Sequence, residues 1–172
     1  MLESDVEAVV EIHLRTFPGF FLSFLGHDFL ALLYPSIRVA PEGVVLVATD
    51  GEGIQGFAAG VTSQESFYRR LVRRHWWGFA MSALGAVIRR PSVIPRLLRA
   101  LRRPSESGQS ATAAALMSIG ASPESEGKGI GSLILESFCR EMATRGVTDI
   151  CLTTTETTMR TLIVFMSVTD ST

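Results

Sequence analysis

Cysteine is nearly absent from this chain of 172 residues: only Cys139 and Cys151 occur, within apolar runs and without CxxC spacing. That excludes a disulfide framework, so buried, reduced thiols in a cytoplasmic protein are expected, with no metal centre. Long apolar runs are also missing. The segment WWGFAMSALGAVI has thirteen residues, short of the ~20 that a membrane-spanning helix needs. Met1 is followed by acidic residues instead of a basic segment, so no signal peptide is expected. There is no internal repeat, and polar low complexity is confined to a linker at Pro104 to Ser110. What remains is one globular domain, 47% hydrophobic, long enough to bury a core.

Acidic residues are missing from one long stretch. Arg69, Arg70, Arg73, Arg74, Arg89, Arg90, Arg96, Arg99, Arg102 and Arg103 follow one another there with no carboxylate between them, although the formal net charge is −1. The interleaved aliphatic residues argue against nucleic-acid binding. Three readings stay open for the insertion at about 66–110. It could be a lid over a binding site, built of two or three helices broken at Pro91 and Pro95. It could contact a membrane surface from Arg69 to Arg103, or it could be a solvated helical excursion. An anionic small-molecule partner fits the guanidinium groups, which grip phosphate bidentately.

The densest signal lies in AAALMSIGASPESEGKGIGSLILESFCREMATR, Ala113 to Arg145. It reads as a strand, a glycine-rich turn and a helix with Ile130, Ile134, Phe138 and Met142 on one stripe. Such a turn presents backbone N–H groups at the positive end of a helix dipole, where a phosphate is favoured. The P-loop pattern is not met, since Lys128 is misplaced and no Ser or Thr follows it; the dinucleotide fingerprint is not met either. A plain glycine-rich connection without a ligand is the alternative. Elsewhere, Ser4 to Phe17 reads as a helix capped by Ser4, and Ser23 to Tyr34 as a second helix closed by Pro35. VVLVAT and IQGFAAGVT, joined by the Asp50-Gly51 turn, read as a hairpin. Val147 to Thr154 reads as a further strand.

The segment SIGASPESEGKGIGSLILESF resembles motif A of the GNAT acetyltransferase superfamily, with Pro123, Gly127, Gly129, Ile130 and Gly131 in the motif's positions. Ala121 and Glu126 depart from it, standing where the family has Val and Arg or Gln. Glu42 to Thr62 and Val147 to Thr154 look like further strands of that family. The resemblance implies an α/β (α+β) fold: a mixed central sheet flanked by helices, one domain over 1–172, with a basic helical insertion and missing terminal strands. Before the first helix the family has a strand that is not seen here. After Thr154 the family has an Asn and then a helix ending in Tyr, near the positions of Thr158 and Phe165. A back-translation from Thr157, read from the third base of each codon, can give N-D-A-D-A-D-R-F-Y-V-S-H-G-F with the family's Y-x-x-x-G-F spacing. A frameshifted end is therefore expected.

The same resemblance implies transfer of an acetyl group from acetyl-CoA to an amine of a small acceptor. Ile119 and Ala121 would pair with the pantetheine arm. Gly127, Lys128, Gly129, Ile130, Gly131 and Ser132 would hold the diphosphate. Glu65 and Ser118 are the candidates for moving protons; His13, His27, His75 and Thr154 are weaker ones. A CoA-binding or inactive remnant, and a membrane-surface module, are the competing readings.

Overall fold

In the computed structural model the described residues are 1–51, 53–89, 114–154 and 160–165. A 3-10 turn, Glu3–Asp5, leads into α1 (Val6–Thr16), α2 (Phe21–Leu25) and α3 (His27–Val39). The hairpin of β1 (Gly43–Asp50) and β2 (Gly53–Val61) follows, then the long α4 (Gln64–Arg89), β3 (Ala114–Ala121), α5 (Ile130–Thr144), β4 (Asp149–Thr154) and β5 (Arg160–Phe165). The strands form one sheet in the order β1-β2-β3-β4-β5, antiparallel except for the β3–β4 pair.

Period-two alternation divides the sheet into two buried faces. Phe57, Ala59, Val61 and Ala115 pack with Val9, Leu30, Tyr34, Ile37 and Phe67 under α1, α3 and the start of α4. Ala58, Ala114, Leu116 and Ile150 pack with Ile134, Phe138 and Met142 of α5 on the other face. The small residues of GFAAG let α5 come close. A Cβ on Gly60 would lie 2.6 Å from Phe138 Cζ and 2.3 Å from the Ala115 carbonyl oxygen, distances no real side chain adopts.

Some local expectations need correction. Ser4 does not cap the first helix; it lies within the 3-10 turn, and α1 starts at Val6. The expected helix over Ser23 to Tyr34 is two helices, split at Gly26, whose φ of +88° no ordinary side chain favours. Pro35 does not end the second of them, which runs on to Val39. Proline there forfeits one backbone bond, but Leu30, Leu33, Tyr34 and Ile37 bury a continuous stripe across it. The hairpin turn forms as expected, with Gly53 N–H donating to Asp50 Oδ1 at 3.1 Å. The start of the insertion is one helix over 26 residues. The expected breaks at Pro91 and Pro95, Arg90 to Arg103, the linker at Pro104 to Ser110 and Thr158 lie outside the described residues, as do the side chains of His75, Thr154 and Phe165. β5 is a strand that the sequence reading did not assign.

Candidate functional site

The site begins with one extra residue in β3. Against β2 the register runs Ala59↔Ser118 and then Gly60↔Leu116, so Met117 is unmatched and forms a β-bulge. A bulge bends its strand and places consecutive side chains on one face. Met117 and Ser118 accordingly both turn toward α1 and α3. The parallel pairing of β3 with β4 covers Ala114↔Ile150 to Leu116↔Leu152 and stops there, at the bulge. Beyond it, that edge of β3 is unpaired among the described residues. Ser122 N–H bonds the Gln55 carbonyl, so by the alternation of an antiparallel ladder Gly120 and Ser118 also point their amides to β2. Ile119 and Ala121 therefore point theirs to the open edge. Thr16 Oγ1 donates to the Ala121 carbonyl at 3.2 Å; among the described residues the Ile119 and Ala121 N–H groups have no partner across that edge.

At the end of this edge lies the glycine-rich turn. Gly127 and Gly129 have φ of +77° and +74°, and Gly129 is the N-cap of α5 without any side-chain cap. Lys128 N–H turns inward to the Ser125 carbonyl at 3.2 Å, and Leu133 N–H starts the helical ladder on the Gly129 carbonyl at 3.1 Å. Between and around them, the N–H groups of Gly127, Gly129, Ile130, Gly131 and Ser132 make no hydrogen bond among the described residues. Five unbonded donors thus lie in the exposed turn and first residues at a helix N-terminus, where an anion is favoured. No atom stands within 4 Å of where a Cβ on Gly127, Gly129 or Gly131 would sit.

The turn is held from below. The buried Ser125 hydroxyl donates to Gln55 Oε1, and Gln55 Nε2 donates to Asp50 Oδ1 at 3.0 Å. Glu124 pairs with Arg15 of α1 and accepts from Ser122 Oγ. The Arg15 guanidinium, then the Ser122 hydroxyl, hold its carboxyl down at about 2. Glu126 and Lys128 are exposed on the turn.

Behind the bulge lies a polar chain that the sequence reading missed. The Tyr34 hydroxyl hydrogen-bonds His13 Nδ1 at 2.6 Å, and the Ser118 hydroxyl reaches the same phenol oxygen. His13 and Tyr34 are almost wholly buried, in tilted and edge-on ring contacts with Phe17 and Phe57. Burial pushes the His13 imidazole down to about 4 and the phenol up. Nε2 of His13 is buried without a partner among the described residues. The available signal was spacing: His13 sat on the apolar stripe of α1 and Tyr34 on that of α3, but nothing local paired them.

Of the two catalytic candidates, Ser118 stands at the bulge. Glu65 does not join it. It sits in the first turn of α4, exposed, 3.9 Å from Arg69, beyond Val61 and so at the opposite end of β2 from Gly56 and Ala121. The reason is register: following β2 in sequence carries the chain away from the turn. His27 is exposed and bonds Glu7 at 2.8 Å, which raises its pKa. Arg69, Arg70, Arg73 and Arg74 share the end of the sheet occupied by Glu65, lining a pocket with Glu42 and Ser66. No helix among the described residues is long and apolar enough to cross a membrane.

No known family's sequence pattern and no curated protein sequence matches the chain. Solved structures do. A histone acetyltransferase HPA2 and related acetyltransferase from Corynebacterium glutamicum is 20% identical at a TM-score of 0.53, covering 91% of this chain and 75% of its own. A ribosomal-protein-alanine N-acetyltransferase from Brucella melitensis is 16% identical at 0.52, over 88% and 70%. The aminoglycoside 6'-N-acetyltransferase from Enterococcus faecium is 14% identical at 0.48, over 85% of this chain; the match spans only 53% of that protein's length. The chain has the GNAT fold.

Proposed function

We propose that the chain binds acetyl-CoA at the splay between β3 and β4 and transfers its acetyl group to an amine of a small acceptor. The observation that carries this reading is the set of five N–H groups, in the glycine turn and the start of α5, that make no hydrogen bond among the described residues, next to the edge of β3 that is unpaired among them. A diphosphate fits the turn, and an extended amide chain fits beside Ile119 and Ala121, adding to the sheet as a strand would. Lys128 adds a positive charge at the rim. The amine nitrogen attacks the thioester carbonyl, the C–S bond breaks, and the proton lost by the amine passes to the departing thiolate, so the step balances without a covalent intermediate on the protein.

The residues of this chain then have three tasks. The turn and the strand edge fix the reacting carbonyl, which is the largest entropic contribution such a site makes. The Ile119 N–H, freed by the bulge, is placed to donate toward the oxygen on which charge develops. Ser118 serves as a positioning residue that ties the bulge to Tyr34 and His13. Calorimetric titration with acetyl-CoA tests the binding step, and thiol release with a panel of amines tests turnover. Absence of any heat with acetyl-CoA overturns the reading. Binding without thiol release supports the competing reading of a CoA-binding remnant.

A further inference from the structure

We propose that the arginine-lined pocket at the start of α4 is a second anion site, built for a phosphoryl group and separate from the glycine-rich turn. This stands independently of the acetyl-CoA reading. The pocket has a volume of about 450 Å³ and is lined by Glu42, Ser66, Arg69, Arg70, Arg73 and Arg74, within the range of small-ligand cavities.

Its position separates it from the turn. Glu42 precedes Gly43, which pairs with Val61, whereas the glycine turn follows Ala121, which pairs with Gly56. Gly56 and Val61 are five residue steps apart along β2, roughly 17 Å at strand rise, and β1 is the edge strand farthest from the β3–β4 splay. One phosphate group cannot serve both.

The charges on α4 call for a counter-ion. At helical spacing Arg69, Arg70, Arg73 and Arg74 fall on one face with Ser66, while Phe67 and Leu71 turn into the core. Arg69 and Arg70 have carboxylate partners, Glu65 at 3.9 Å and Glu42 at 2.9 Å. Arg73 and Arg74 have none among the described residues. Arg69 repels Arg73 and Arg70 repels Arg74 across one turn. Glu42, its carboxyl held down by Arg70 and Arg69, offsets part of this charge, and its Oε2 is buried without a hydrogen bond among the described residues; the charges of Arg73 and Arg74 remain without a carboxylate there. A phosphoryl group removes the repulsion, because two guanidinium forks can each present paired N–H donors to its oxygens. Ser66 adds a hydroxyl.

Such a group can arrive on a soluble phosphate ester or on a lipid headgroup, and the test separates these sources. The two tryptophans of the chain are adjacent, Trp76 and Trp77, and Trp77 lies one turn beyond Arg73. Tryptophan emission is therefore a local reporter. Pyrophosphate is titrated with saturating CoA present, and phosphatidylcholine vesicles with and without phosphatidic acid are used in co-sedimentation. The expected result is an emission change whose midpoint rises at least about tenfold in Arg73→Glu/Arg74→Glu. Arg73→Gln/Arg74→Gln should fall between, and unchanged circular dichroism melting shows both variants folded. Sedimentation with phosphatidic acid that pyrophosphate reverses assigns the headgroup source; emission change without sedimentation assigns the soluble one. No response of the unmodified protein to either probe, or an equal response of the charge-swapped variant, overturns the site. A failure of CoA alone to raise the melting temperature instead counts against the acetyl-CoA reading, so the two are judged apart.

Discussion

Gly131 occupies a helical position, so its backbone does not need glycine, and a Cβ there would meet no protein atom. Gly131→Ala should therefore raise stability by about 0.5–1 kcal/mol while weakening acetyl-CoA binding by about tenfold. Chemical denaturation and calorimetry on the same variant would show the opposed signs; a fall in stability, or unchanged affinity, contradicts the assigned role. Glu126 is the converse case, a carboxylate on a mouth suited to an anion. Glu126→Gln should tighten acetyl-CoA binding by about threefold, with the gain shrinking as salt is added. His13 governs acid sensitivity. Its imidazole titrates near 4 when folded against 6.5 for the free side chain, so the unfolded chain binds the extra proton between those values. The contribution of His13 to stability is therefore full above pH 6.5 and should fall by roughly 3 kcal/mol on going down to pH 4. In His13→Phe that slope should vanish from a series of melting curves over the same window, even if the overall stability changes.

At the scale of elements, the glycine turn owes its shape to β2 as much as to itself. Gln55 accepts Ser122 N–H through its carbonyl and the buried Ser125 hydroxyl through its side chain. Gln55→Ala leaves that hydroxyl without its acceptor and should cost about 1–3 kcal/mol. Acetyl-CoA affinity should drop as well, although Gln55 does not line the mouth; retained affinity would show that the turn holds itself. The strand–turn–helix unit and the β1–β2 hairpin were legible because glycine spacing, Asp50-Gly51 and the Ile134–Phe138–Met142 stripe are local signals. The path through Pro35 was not, since tertiary packing outweighed the breaker. Nor was the bulge at Met117, which exists only as a mismatch of register between two strands far apart in sequence.

For the molecule as a whole, the two-faced sheet and its family likeness could be read from pattern, whereas the grouping of distant side chains could not. Glu65 looked close to the site along the chain, yet antiparallel pairing put it at the far end. His13, Tyr34 and Ser118 looked unrelated and meet beneath the bulge. That meeting is a product of topology, and no local window contains it. The three-residue contact between β3 and β4 has a consequence for the entire assembly. Where ordinary sheets spend their ladder bonds on themselves, this one leaves rungs of β3 unspent among the described residues, which acetyl-CoA would supply under the proposed function. The Ile119 amide should thus exchange with deuterated water quickly in the empty protein and slow by at least about tenfold when acetyl-CoA docks, with the thermal midpoint climbing as the logarithm of ligand concentration. Cohesion in this protein would then be a joint property of chain and guest, greatest while it is at work.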